Sequence, residues 1–230
     1  MNKIIGSGLI SKAISRHVNN LNMESVFFAS GVSNSLEENL NEFNREEKLL
    51  NKTIANNVAT MFVYFSTCSV YEKCTPYTSH KIKMEELIKE KCDSYIIYRL
   101  PQVVGIGKNK HTLMNYLHKK IINEEKFDVI NGAVRNIIDV DDVARIVIEI
   151  SGKKLLHNKI VNIATPYMQS VESIIKAFED FLNKKAIYNI KGFQKPHKIT
   201  IETMLSVINI ENYFSTNSDI YTKNIIKKYY

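Results

Sequence analysis

Two rhythms of apolar and polar residues alternate along this chain. Short, nearly continuous apolar runs predict buried strands at Lys3-Ile4-Ile5, Ser25 to Ala29, Ala59 to Phe65, Ser94 to Tyr98, Phe127 to Ile130, Asn136 to Val140 and Lys159 to Ala164. Between them apolar residues recur at helical spacing. Ile10, Ala13, Ile14 and Val18 share one face after the first strand. Leu36 to Asn57 reads as one or two helices, and Thr78 to Lys91, His111 to Asn123 and Ser170 to Asn183 as one each. A further helix through Ile150 is expected to be capped by Asp141 or Asp142. After about Lys184 the pattern weakens, with helices expected over Thr200 to Ile208 and Asp219 to Tyr229. Strands alternating with helices predict an α/β fold, a doubly wound parallel sheet joined by right-handed crossovers and covered on both faces.

Composition narrows the classes. At 230 residues the chain can bury a large core. It holds no apolar run long enough for a transmembrane helix, and no secretory signal follows Met1. Cys68, Cys74 and Cys92 form no Cys-x-x-Cys pair and read as reduced thiols of a cytoplasmic protein. The net charge of +7 raises nucleic acid as a partner. The lysines are scattered, however, in short clusters such as Lys153-Lys154 and Lys227-Lys228, and no recognition motif accompanies them. Neither nucleic acid nor a membrane is therefore an expected partner.

Candidate chemistry begins at Gly6-x-Gly8-x-x-Ser11, which follows a strand and opens a helix. Gly6 permits a tight turn, Gly8 lets a pyrophosphate approach the helix N-terminus, and Ser11 is small enough to pack helix on strand. Taken alone, the turn is equally a plain strand–helix connection. The acid that should bind a ribose about 20 residues on is missing: the second strand ends Phe28-Ala29-Ser30-Gly31. Tyr77 and Lys81 lie four apart on a helix, where the ammonium is expected to lower the phenol's pKa from about 10. With Thr67 from a strand end, they form a set able to move a proton on and off an alcohol or ketone oxygen. Asp139, Asp141 and Asp142 read as a helix cap with solvated acids rather than a cation cage, and no metal is expected. His80 is expected on a partly exposed helix face, and His111, His118, His157 and His197 have no zinc spacing.

In order, these segments resemble the extended short-chain dehydrogenase/reductase family, in its NAD-dependent epimerase/dehydratase group acting on nucleotide sugars, but in a shortened form. Gly6 to Ser11 is similar to the family's glycine-rich turn. Phe27 to Gly31 is similar to the strand ending beside the nicotinamide, and Phe65 to Tyr71 to the one that supplies the catalytic Ser/Thr. Tyr98 to Gly105 and Arg135 to Ala144 resemble later family segments. The resemblance implies Thr67, Tyr77 and Lys81 as the catalytic set. It implies NAD or NADP held by Gly6, Ser7, Gly8, Leu9, Ile10, Ala29, Ser30, Gly31, Tyr77, Lys81 and Pro101. It places a nucleotide sugar against Ser33, Asn34, Gln102 and Arg135. It implies a Rossmann-like domain over 1–165, with 106–135 contributing to a small C-terminal substrate lobe over 166–230, and it allows a homodimer. The family's second and third strands have no counterpart here, so the sheet should be narrower than usual. Cys68-Ser69 stand where dehydratases carry Asp-Glu, which argues against 4,6-dehydration. The implied function is an NAD(P)-dependent nucleotide-sugar epimerase or ketoreductase in surface polysaccharide synthesis. A trimmed adenosine site favours reductase chemistry, while the overall resemblance puts epimerase first. The rival is a non-catalytic or redox-sensing nucleotide-binding protein of the same fold.

Overall fold

The computed structural model describes residues 2–230 except 22, 58, 59, 73, 108, 110 and 111. Ala59 and His111, the first residues of two expected elements, lie outside the described residues. The chain forms β1 (Lys3–Ile5), α1 (Leu9–His17), β2 (Ser25–Phe28), α2 (Leu40–Ala55), β3 (Met61–Thr67), α3 (Pro76–Lys91), β4 (Tyr95–Leu100) and β5 (Gln102–Val104). It continues with α4 (Leu113–Ile122), β6 (Phe127–Ile130), β7 (Val134–Arg135), β8 (Ile137–Asp139), α5 (Val140–Ser151), β9 (Lys159–Asn162), β10 (Gln169–Ser170), α6 (Val171–Leu182), β11 (Tyr188–Lys191), α7 (Glu202–Leu205) and α8 (Ser218–Tyr229). Leu36 to Asn57 holds one helix rather than two. The strands that periodicity missed, β5, β7, β10 and β11, are two to four residues long and half-buried or exposed over most of their positions, so they carry no continuous apolar run.

β1, β2, β3, β4 and β9 form one parallel sheet in that spatial order. This is the narrow doubly wound sheet expected. β2 pairs directly with β1, whose other side is the sheet edge. Successive side chains point to opposite faces. Phe27, Val63, Phe65, Ile96 and Tyr98 pack toward Ala13 and Ile14 of α1 and Val143 and Val147 of α5. Val26, Phe28, Phe62, Tyr64 and Ile97 pack toward Leu50 and Ile54 of α2 and Met84 and Ile88 of α3. With the strands laid down in chain order and α1 on the face opposite α2, the β1-α1-β2 and β2-α2-β3 crossovers have opposite hands. One of them departs from the right-handed rule that the sequence reading applied throughout.

Helix N-termini follow local chemistry, with two exceptions. Asn39, Thr75, Thr112, Asp139, Ser170 and Asn217 each place a side-chain acceptor on the first-turn N–H groups of α2, α3, α4, α5, α6 and α8. The cap of α5 is thus Asp139, not Asp141 or Asp142. These latter acids are held instead by α8 and neighbouring arginines. Lys228 bonds Asp139 and Asp141 at 2.8 Å each, and Tyr221 donates to Asp142 at 2.7 Å. The exceptions are the one-turn α7, which follows Ile201, and α1, whose Gly8 offers no side-chain acceptor and whose first turn holds no acid.

Candidate active site

Gly6, Ala29, Thr67 and Pro101 each stand at or just beyond the carboxyl end of a parallel strand, and these strands are neighbours. Crevices outside the carboxyl ends are where open α/β sheets bind ligands. Gly6 has φ +129°, and a Cβ there would lie 2.3 Å from the Ala29 carbonyl oxygen. The turn therefore needs glycine for conformation and for space. At Gly8 an added Cβ would meet nothing within 4 Å. Open space in front of an uncapped helix N-terminus suits a pyrophosphate. Ser11 is buried and its hydroxyl donates to the Gly8 carbonyl at 2.9 Å, so it tightens the turn as the third small residue. Leu9 packs under Gly105 and Gly107. We expect Gly6→Ala to cost about 1–3 kcal/mol from backbone strain alone. Urea unfolding checks the stability loss, and calorimetry with a nicotinamide cofactor checks the accompanying loss of binding.

The structure brings Thr67, Tyr77 and Lys81 together. The strand β3 ends at Thr67, and α3 starts beyond the Thr75 capping box with Pro76 in its first turn. Tyr77 therefore sits in the first turn, with Lys81 one turn later on the same face. The Tyr77 phenol lies near enough to Thr67 and Lys81 to feel both, and the ring packs against Val32 and Phe43. The expected acidity is reversed, however. Burial pushes the Tyr77 phenol above its ordinary value. Lys81 and Thr67 oppose that shift, and Glu46 adds to it.

Glu46 is the residue sequence reading missed. It is fully buried on α2 and accepts four hydrogen bonds: Lys81 Nζ at 3.0 Å, Tyr64 OH at 2.6 Å, His80 Nε2 at 3.1 Å and the Val32 N–H at 2.7 Å. Burial would raise this carboxyl. The Lys81 ammonium and the hydrogen bonds outweigh that and hold it well below the usual carboxylate range. Lys81 also donates to Tyr64 OH at 3.1 Å, so two of its three protons are committed. His80, expected at the surface, is buried against Glu46 and stacks on Phe43 at 4.6 Å. The missed signal was a carboxylate inside an apolar stripe: Phe43, Glu46, Leu50 and Ile54 share one buried face of α2. Glu85 on α3 repeats it. Arg99 grips Glu85 with bonds of 2.9 and 2.5 Å, and Ser66 donates to it at 2.5 Å.

Gly31 lies against the ion pair: a Cβ there would fall 2.5 Å from Lys81 Nζ and 2.8 Å from Glu46 Oε1. Beyond Gly31, the Ser33 carbonyl accepts from Asn109, and the Asn34 side chain accepts the Leu36 N–H at 3.1 Å. Ser30 accepts from Arg45 through its carbonyl. Gln102 continues into β5, half-buried beside β8. Arg135 on β7 donates to the Val134 carbonyl at 2.7 Å and to Gln194 at 3.3 Å. The glycine turn thus fits a pyrophosphate, whereas among the described residues no strand lies beyond β1 to meet an adenosine.

The sequence model of the NAD dependent epimerase/dehydratase family matches residues 28–164, more than half of the chain. That span contains Thr67, Tyr77 and Lys81 and begins after the Gly6 turn. Among solved structures, MoeE5 in complex with UDP-glucose and NAD is similar at 14% identity and TM-score 0.78, over 98% of this chain and 97% of that chain. UDP-glucuronic acid 4-epimerase from Bacillus cereus, in complex with UDP-glucuronic acid and NAD, is similar at 18% identity and TM-score 0.70, over 97% and 81%. RMD from Pseudomonas aeruginosa, complexed with NADPH, is similar at 12% identity and TM-score 0.76, over 99% and 98%. At these identities the likeness is one of fold. Comparison with curated proteins finds no match.

Proposed function

The chain belongs to the NAD dependent epimerase/dehydratase family, and from that premise we propose that it is an NAD(P)-dependent nucleotide-sugar epimerase or ketoreductase with Tyr77 as its proton carrier. The observation that supports this reading is the placement of Thr67 at the end of β3 and of Tyr77 and Lys81 one turn apart at the start of α3, at the carboxyl ends of the strands, beside the uncapped α1 N-terminus. A bound NAD or NADP supplies the hydride chemistry. The residues of this chain do the rest. The turn from Gly6 to Ile10 holds the pyrophosphate, while Ala29, Ser30, Gly31 and Pro101 line the nicotinamide end. Thr67 orients the reacting oxygen and Tyr77 exchanges its proton with that oxygen. Ser33, Asn34, Gln102 and Arg135 hold the nucleotide sugar, under a lobe built from 106–135 and 166–230. UDP-glucose and UDP-glucuronic acid, bound by the similar structures, are the first substrates to try. A cytoplasmic homodimer working in surface polysaccharide synthesis goes with this proposal.

Calorimetry with NAD, NADH, NADP and NADPH, each alone and with these two UDP-sugars, tests it. Binding of at least one cofactor is the expected result. If all four fail with sugar present, the second reading takes over: a non-catalytic nucleotide-binding protein. Two observations favour that reading, namely the Glu46–Lys81 pair and the sheet that stops at β1.

A further inference from the structure

Glu46 lies outside the three-residue set, yet it is the group most tightly bound to it. Its side chain and that of Lys81 are 0% and 3% exposed, and Nζ to Oε1 is 3.0 Å. Both carboxylate oxygens are saturated: Oε1 by Lys81 and Tyr64, Oε2 by His80 and the Val32 N–H. Gly31 leaves no room for a side chain that would push the pair apart. A buried ion pair is weak as a stabilising device, so its presence beside the proton carrier calls for another role.

We infer that Glu46 is a positioning residue that commits the Lys81 ammonium to a carboxylate instead of to the Tyr77 phenol, so that the site gives a proton to a ketone oxygen rather than taking one from an alcohol. This rests on the reading proposed above and chooses within it. In the favoured direction a hydride from a reduced nicotinamide adds to the sugar's carbonyl carbon. The π electron pair moves onto oxygen, and the Tyr77 O–H proton passes to that oxygen. The phenolate left behind recovers its proton from solvent. An epimerase must also run the reverse half-reaction, which starts from the phenolate. That species is scarce while Glu46 neutralises the lysine, so the reductive half-reaction starts from the major form of the site and the oxidative one from a minor form.

The groups around the Tyr77 oxygen agree with this direction. Thr67 on β3 and Lys81 on α3 favour phenolate. Burial and Glu46 on α2 oppose it and win. Tyr64 and His80 add no free cation, since both donate to Glu46. Arg99, the next cation along, is engaged by Glu85.

The test is a titration of the protein without ligand, read by tyrosine ring-carbon NMR, with the Tyr77 signal identified by its loss in Tyr77→Phe. In the wild type less than about a tenth of Tyr77 should be phenolate at about pH 9. In Glu46→Gln the Lys81 charge is released, and the Tyr77 acid constant should rise at least about tenfold. An unchanged midpoint in a folded Glu46→Gln protein overturns the inference. If that variant does not fold, the wild-type titration decides: a Tyr77 midpoint below about pH 9 overturns it as well. Calorimetry keeps the two claims apart. Cofactor binding with an unshifted Tyr77 rejects the role of Glu46 alone, whereas a shifted Tyr77 without cofactor binding rejects the enzymatic reading alone.

Discussion

Tyr77→Phe should slow turnover by about 10²–10⁴-fold, the ordinary worth of a positioned general acid or base, and leave affinity for cofactor and nucleotide sugar close to wild type. The ring packs against Val32 and Phe43, contacts that phenylalanine keeps. The variant therefore removes one oxygen and little packing. The loss should fall on kcat and kcat/KM together, as expected when an interaction made only in the transition state is removed. Steady-state kinetics on the two UDP-sugars, paired with calorimetry on the same preparation, checks it. A variant that keeps the wild-type rate takes Tyr77 out of the chemistry.

Lys81→Met should cost about 3–5 kcal/mol of unfolding free energy at neutral pH, because it leaves a buried carboxylate without its cation. The side chain is almost the same length, so lost volume contributes little. The pH dependence identifies the cause. In the wild type Glu46 is held below its ordinary carboxylate value. Its contribution is therefore fully present above about pH 4.5 and lost as pH falls through the lower folded value. Without Lys81, burial dominates and raises the Glu46 carboxyl. Its contribution is then fully present below about pH 4.5 and lost as pH rises. The stability gap between the two proteins should accordingly widen from about pH 4 to about pH 7 in urea unfolding. A gap that stays constant over that range would mean the lysine acts by packing alone.

Much of the architecture was legible in the residue pattern, for identifiable reasons. β3 is buried at every position and shows as a continuous apolar run. The Gly6 turn shows because a φ of +129° and the contact with Ala29 tolerate only glycine. Thr67, Tyr77 and Lys81 were legible as a set because two lie one helical turn apart and the third ends a strand. Glu46 was legible only as a misfit, a charge in an apolar stripe, and a misfit does not name its partner. His80 was misplaced because burial depends on what packs over a helix, which its own period does not record, and the α5 cap was assigned to Asp141 or Asp142 because three acids within four positions offer the same local chemistry.

The order of residues by itself determined the alternation of strands and helices, the glycine turn and the spacing of Tyr77 and Lys81, since each depends on neighbours within one turn or one element. The tertiary structure alone decided which buried acid faces the Lys81 ammonium. Glu46 and Lys81 are 35 positions apart along the chain, and whether an ammonium acts on a phenol or on a carboxylate depends on which one the folded helices bring within about 3 Å in a medium that water no longer screens.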